Sequence, residues 1–375
     1  MKKLSKLIAL VLSLCVALSL VAGCGGGESV GEIKGNYQEV EKVSAEDVAK
    51  ANAALLAATD AESEIIDITG PKFGAELKTN IDLKVGSEFI DENNKTAKEN
   101  YSVNGNAEIG LAATSDEEGN FASLAAKLKL NGKVNLPNSL FEEKGTGNRE
   151  VSANEELYIT AGAGLEDAYI YLNTEINGLP EKAEGETDIV GAIQGKKKIS
   201  LTNLVGMIPD VIPMPELLSM PDMPDIDVSD ILPDTITVET VQNILTMVDM
   251  KLSLDCSDGV KFKISTTDTT KDKVKVLLAT GLKNPALSSL KIDKLNVNFY
   301  LQLDAEGHLI ATAASAEVKI EVPAELAEGT KINIEGKVSV SINIGDIEVK
   351  VPEGIATDES YEEILPPEPD TGAGE

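Results

Sequence analysis

The feature that most constrains this chain is a set of long stretches in which apolar and polar side chains alternate. Between residues 73 and 89 the odd positions are apolar or small, and most even positions are polar or charged. Because successive side chains of a strand point to opposite faces, this period of two predicts a half-buried strand of unusual length. Similar alternation over residues 101–111 and 124–136 predicts a meander of three antiparallel strands.

The C-terminal third of the chain has the same pattern. Alternating stretches cover residues 295–303, 310–322 and 332–344, with a polar turn at 304–308. After Gly345 the apolar phase shifts to residues 347, 349 and 351, as a β-bulge or a tight turn would require. Between the two strand groups, apolar residues at helical spacing predict helices after Thr237 and after Thr270. Another helix is predicted to begin after Ser44, with Asp47 completing a capping box.

These elements predict an α+β fold in a single domain covering residues 43–352. Sheets of such long strands twist and curl, and their apolar face has to be covered. We therefore expect a large, strongly curved antiparallel β-sheet, a half-barrel, that wraps a few apolar helices. The flanking segments are expected to be a flexible tether over residues 24–42 and a disordered acidic tail over 353–375.

The N-terminus has the layout of an export signal that ends in a cysteine. Three lysines precede an apolar run over residues 7–20, and the small residues Ala22 and Gly23 lie directly before Cys24. This layout is typical of a secretory signal peptide over residues 1–23, and its end resembles the bacterial lipobox, where the thiol receives a diacylglyceryl group. We expect Cys24 to anchor the protein on the outer face of the cytoplasmic membrane. The alternative is an ordinary leader in which Cys24 is incidental.

Charge and cysteine content limit the partners further. Removing residues 1–23 leaves 30 basic and 63 acidic side chains, a net charge of about −33. Such a charge repels nucleic acid and anionic headgroups, so the acyl chains must hold the protein to the membrane. Only Cys256 would remain besides the anchor, so no internal disulfide is expected, and its strand context predicts a small core residue. We expect a monomer.

The sequence offers no recognisable catalytic, metal or cofactor site. His308 is the only histidine and falls in a predicted turn, which excludes Ser-His-Asp triads and HExxH zinc sites elsewhere. The S-x-x-K match at Ser288 lacks its companion motifs. The Gly/Lys stretch over 191–197 has the wrong spacing for a phosphate loop, and the aspartates over 222–234 do not fit an EF-hand. We predict that the protein is not an enzyme.

One segment between the strand groups has an unusual composition. All methionines of the mature chain fall between residues 207 and 250, interleaved with prolines. Methionine is flexible and polarizable and suits surfaces that accept variable apolar partners. We therefore interpret residues 199–236 as a possible lid over the sheet. The side chains expected to contact a hydrophobic ligand are Met207, Met214, Leu217, Met220, Met223 and Met247. The alternative is that these residues only fill gaps between helices and sheet.

Several features together resemble bacterial lipoproteins of the LolA and LppX/LprG type. They are the lipobox, the tether, the N-terminal helix, the long-stranded meander, the central apolar helices and the closing Leu-Asp-x-x-Gly-His-Leu hairpin (303–309). The resemblance implies a half-barrel that carries a lipid or another hydrophobic ligand in an apolar concavity. A structural or interaction lipoprotein with a packed interior and an acidic protein-binding surface is the alternative. An enzyme with paired carboxylates is disfavoured because the chain has no Trp to form a sugar platform.

Overall fold

A computed structural model describes residues 30–59, 71–90, 94–116, 121–138, 147–162, 168–179, 194–200, 236–281, 284–327 and 329–364. Within these ranges the chain forms one large, open sheet of 13 strands and three α-helices. The strands are β1 (Gln38–Glu39), β2 (Lys72–Ile90), β3 (Thr96–Ser115), β4 (Phe121–Pro137), β5 (Asn148–Ala161), β6 (Tyr169–Asn177), β7 (Gly195–Ser200), β8 (Met250–Asp255), β9 (Val260–Thr266), β10 (Lys291–Leu303), β11 (Leu309–Val322), β12 (Lys331–Gly345) and β13 (Glu362–Glu363). The helices are α1 (Ala45–Thr59), α2 (Val238–Met247) and α3 (Thr270–Gly281).

The strand order is β1-β8-β9-β10-β11-β12-β2-β3-β4-β5-β6-β7-β13. Two antiparallel meanders, β8 to β12 and β2 to β7, are therefore joined in the middle of the sheet where β12 pairs with β2. The predicted strands are confirmed as β2, β3 and β4 in the first meander and as β10, β11 and β12 in the second. The expectation of a purely antiparallel sheet is wrong at one edge, because β13 pairs with β7 in parallel.

Cross-strand register places the alternating apolar residues on one face. Leu83 of β2 is opposite Val103 of β3, which is opposite Val134 of β4. On the other side of β2, Val85 is opposite Ile334 of β12. We call this side of the sheet the apolar face and the opposite side the polar face. A one-residue slip would exchange the two faces, so the hydrophobic pattern determines the register.

Two helices cover one end of the apolar face. Helix α1 begins with the predicted capping box, since Ser44 Oγ accepts a hydrogen bond from the Asp47 N–H at 3.1 Å. Helix α2 is capped by Thr237, whose side chain accepts from the Thr240 N–H at 3.1 Å. The main core between these helices and strands β8 and β9 consists of Ala51, Ala54, Leu55, Val238, Leu252, Leu254, Val260, Phe262 and Leu303. Most of the helix–sheet packing therefore lies near the β8 edge.

A second core lies further along the apolar face. Its buried members are Leu83, Val85, Val322, Ile332 and Ile334. Leu326 and Ala327, from the turn that follows β11, pack against these side chains together with Leu290. The strand ends at this site are therefore covered by short connecting segments rather than by one of the three α-helices.

The N-terminal residues cross the polar face before they reach the first helix. In residues 30–37, which we call the N-terminal strap, Ile33 is buried against Tyr300 and Ala313. At Gly31 the backbone φ is +85°, and an added Cβ would lie 2.5 Å from the Ser339 Cβ, so only glycine fits there. The chain then adds β1 to the edge strand β8. Residues 30–42 thus contact the sheet, whereas the sequence analysis placed them in the tether.

The C-terminal residues cross the other half of the same face. A tight turn ends β12, in which the Ile347 N–H donates to the Gly345 carbonyl at 2.9 Å. Residues 346–361, which we call the C-terminal strap, pass so close to the sheet at Gly74 that an added Cβ would lie 2.6 Å from the Ile347 carbonyl oxygen. Ile355 and Tyr361 are buried in this strap. Residues 353–364 thus contact the sheet, although the sequence analysis assigned them to a disordered tail.

Charged residues of the polar face form an ion network near the C-terminal strap. Lys127 Nζ lies 3.1 Å from a Glu76 oxygen and 2.8 Å from a Glu108 oxygen, and Lys78 contacts Glu76 at 2.6 Å. The Glu76 and Lys127 side chains are only 12% and 11% exposed. Burial by itself would raise the pKa of Glu76, but the hydrogen bonds from Lys78 and Lys127 outweigh it and lower the pKa to about 2.

We expect this network to make stability depend on acid pH. A carboxyl group with a lowered folded-state pKa contributes stability above its unfolded-state pKa, and that contribution is lost as the pH falls towards the folded-state value. Glu76→Gln should therefore destabilise the protein by about 1–3 kcal/mol near pH 7, and its difference from wild type should shrink between about pH 4.5 and pH 2. Unfolding temperatures of the wild type and the Glu76→Gln variant, measured from pH 7 to pH 2, would test this prediction. Glu335→Gln, at an exposed ion pair, is the control, and a Glu76 difference independent of pH would contradict the prediction.

Candidate ligand-binding faces

Most of the side chains predicted to bind a ligand lie outside the described residues. These are Met207, Met214, Leu217, Met220 and Met223, and the predicted lipid-attachment residue Cys24 also lies outside the described residues. Met247, the remaining member, is the last residue of α2 and is 69% exposed. The helix that carries it packs over the β8 end of the apolar face. Met247 is therefore available for contact with a ligand but is separated from the centre of the sheet.

The middle of the apolar face holds large apolar side chains that stay accessible. We call Ile81, Ile109, Leu111 and Leu130, together on β2, β3 and β4, the apolar patch. Their side chains are between 37% and 46% exposed. Register brings them together, because Ile81 is opposite Gly105 and Leu130 is opposite Ala107. The small residues Gly105 and Ala107 thus lie between the larger ones on the apolar face.

Two hollows lie on the polar face instead. One, of about 580 Å³, spans β10 to β3, and we call it the central hollow. Its polar lining includes Asn80, Asn104, Asn106, Asn296, Asn298, Ser315 and Ser339. The second, of about 420 Å³, is lined mainly by lysines and acids of the same five strands. The hydrophobic concavity expected from the sequence is a different feature, since it was placed on the apolar side of the sheet.

The described part of the chain also bears on acid–base and metal chemistry. It holds no group of three or more His, Cys, Asp or Glu side chains placed to bind a metal ion. His308 lies in the predicted turn between β10 and β11, with its Nδ1 2.9 Å from an Asp304 carboxylate oxygen. Cys256 is half-buried beside the main core, and burial raises the pKa of its thiol. A raised pKa keeps the thiol protonated, which is the opposite of what a nucleophile needs.

No helix in the described ranges is both long enough and apolar enough to cross a lipid bilayer. Comparison with known proteins gives no further guide to the function. The chain matches no family model, no curated protein and no solved structure. The faces of the sheet and the sequence of the N-terminus are therefore the features that bear on function.

Proposed function

We propose that the chain is a lipid-anchored extracytoplasmic protein that binds an acyl chain or a similar hydrophobic ligand on the apolar face of its sheet. The observation that carries this proposal is the apolar patch. Four large aliphatic side chains on three adjacent strands remain more than one-third exposed while the helices cover the other end of the face. Contiguous exposed apolar surface of this kind marks binding sites in soluble proteins.

The surroundings of the patch suit an extended apolar ligand. The neighbouring positions Leu77, Ala107, Leu128 and Val338 are apolar or small, and Glu155, opposite Leu130, bounds the patch at β5. A ligand seated there would lose contact with water along its length, at about 0.8 kcal/mol for each buried CH₂ group. We further propose that the sheet curls into the half-barrel of the LolA and LppX/LprG type. The open 13-stranded sheet with its helices on the apolar face supports that proposal.

The Met/Pro-rich segment belongs to the same proposal. It connects β7, near one edge of the sheet, to α2, which packs on the apolar side near the opposite edge. We propose that Met214 and Met220, which this segment carries, contact the ligand.

The N-terminal strap limits how far the sheet can lie from the proposed anchor. Gly31 contacts Ser315 and Ser339 on the polar face, and Cys24 precedes it by seven residues. Seven residues span at most about 25 Å, which is close to the distance from Ser339 to either end of β12. An acylated Cys24 would therefore keep Gly31 within about 25 Å of the bilayer.

Binding of a fluorescent fatty acid to the leaderless Cys24→Ser protein tests the ligand site. We expect saturable binding of cis-parinaric acid, weakened at least about tenfold by combining Ile109→Asp with Leu130→Asp, because a charge in the patch must be desolvated. Leu179→Asp is the matched control, since Leu179 is equally exposed but lies outside the patch. A wild-type protein that neither binds the probe nor purifies with lipid would contradict the proposal and favour the interaction alternative.

A further inference from the structure

A row of short polar side chains crosses the polar face perpendicular to the strands. On seven successive strands, from β10 to β5, the residues directly opposite one another are all Asn or Ser. They are Asn298, Ser315, Ser339, Asn80, Asn106, Asn131 and Asn154. We call this set the Asn/Ser row. None of its members is charged, although the adjacent levels of the same face carry paired lysines and acids such as Lys337 and Glu317.

The composition of the row runs against the preferences of β-strands. Asparagine is depleted in strands, where β-branched and aromatic side chains are favoured. Here Asn80, Asn106 and Asn131 occupy the middle of the longest strands of the sheet. Departures from local preference that carry no packing benefit are expected mainly at functional sites.

The carboxamides of the row are available for binding. Asn80, Asn106, Asn131 and Asn154 are exposed, and within the described ranges their side chains form no hydrogen bond. Asn298 and Ser315 approach each other at 3.5 Å, which is the outer limit for such a bond. The row is therefore not an internal hydrogen-bonded ladder. Each free carboxamide offers two N–H donors and a carbonyl acceptor.

The central hollow brings further asparagines to the row. Asn104 and Asn296 lie two residues before Asn106 and Asn298 on their strands, and therefore on the same face. Both line the hollow of about 580 Å³. The charged groups at its border largely compensate one another, since Glu317 is paired with both Lys294 and Lys337. A ligand in the hollow would therefore meet a dense set of neutral donors and acceptors. The net charge of −30 would repel a polyanion.

We propose that the Asn/Ser row is a binding site for an uncharged, linear oligosaccharide. Neutral carboxamides that both donate and accept match sugar hydroxyls, which also do both. Strands repeat about every 4.8 Å, so the row spans about 29 Å, and its four exposed asparagines from Asn80 to Asn154 span about 14 Å and favour an extended chain. The N-terminal strap lies on the row at Ser315 and Ser339 and therefore limits access to the part between Asn298 and Ser339. This site lies on the opposite face from the apolar patch and does not depend on it.

Titration calorimetry with neutral hexasaccharides tests the proposal. The probes are cellohexaose, maltohexaose and chitohexaose, and an oligogalacturonate is the anionic comparison. We expect the leaderless Cys24→Ser protein to bind at least one neutral probe but not the anionic one. Combining Asn80→Val with Asn106→Val should weaken binding at least about tenfold, since several hydrogen bonds are lost together. Valine is a good strand former, so the fold should be retained.

Asn333→Val provides the matched control, because Asn333 is exposed on the same face of β12 but lies about 20 Å along the strand from the row. Single Asn106→Ala replaces the double variant if the latter does not fold.

Absence of binding to all three neutral probes, or equal affinity in the double variant and the control, would overturn the proposal. If the row instead joins two copies of the chain, the resulting dimer would be detected as a larger sedimentation coefficient. Fatty-acid binding measured in the same variants is expected to be unchanged, which separates this site from the apolar patch.

Discussion

Replacing Cys24 with serine is expected to move the protein from the membrane fraction to the soluble extracytoplasmic fraction. The residues before Cys24 resemble a lipobox and the acidic chain is repelled by anionic headgroups, so acylation would provide the attachment. Two or more acyl chains anchor a protein stably, because each buried CH₂ contributes about 0.8 kcal/mol. Cell fractionation, with mass spectrometry of the mature N-terminus, measures the change.

The other two cysteines provide matched controls for that result. Cys15→Ser changes the leader and Cys256→Ser changes the half-buried thiol beside the main core, and neither should alter the location of the protein. Full retention of the Cys24→Ser protein in the membrane fraction would show that the lipobox resemblance is incidental.

The second large effect concerns the covered and uncovered parts of the apolar face. Leu254 of β8 is 1% exposed beneath α1 and α2, whereas Leu111 of β3 is 41% exposed in the apolar patch. Leu254→Ala should reduce the free energy of unfolding by about 2–5 kcal/mol, because it removes buried methyl groups and leaves a cavity. Leu111→Ala should cost less than about 1 kcal/mol, since its side chain is still partly hydrated.

Urea unfolding monitored by circular dichroism tests this comparison. Both substitutions remove the same atoms from the same face of one sheet. The difference between the two losses of unfolding free energy therefore measures how much the covering helices contribute at Leu254. Equal losses of stability would mean that the patch is covered in solution, which would also remove the surface on which the proposed ligand site depends.

The sequence predicts the centre of the sheet much better than its edges. The long strands alternate strictly because one face is buried and the other is solvated, which makes their period of two easy to detect. Strand β7 contains three consecutive lysines, and β5 carries Glu155 at an apolar position, so neither shows clear alternation. Pairing with a neighbour, rather than local pattern, determines those strands.

The two straps could not be predicted from periodicity, since they cross the sheet as single extended segments without a repeating face. The signal that the sequence did contain is the placement of its tyrosines. Six of the seven belong to the straps or to the polar-face positions beside them. They are Tyr37, Tyr158, Tyr169, Tyr171, Tyr300 and Tyr361. A large ring at a position that alternation assigns to solvent indicates that another segment covers it.

The apolar patch and the Asn/Ser row also differ in how well the sequence predicts them. The small residues on the apolar phase of the strands were compatible with open space or with a closely packed helix on that face, and the apolar patch lies among them. The Asn/Ser row was not predicted, because its members are distributed over seven strands and become neighbours only through register. Each asparagine alone is an ordinary polar residue on the solvated side of a strand.

The join between β12 and β2 has a consequence for how the protein reaches its folded state. These strands lie near opposite ends of the chain, yet they pair along 15 residues of each. The sheet therefore cannot be completed during synthesis until Lys331 and the residues after it have been made. Contacts between such distant segments slow folding, and slow closure keeps a nascent chain extended for longer. If the leader directs export, this topology would help the polypeptide to remain competent for translocation until it has left the cytoplasm.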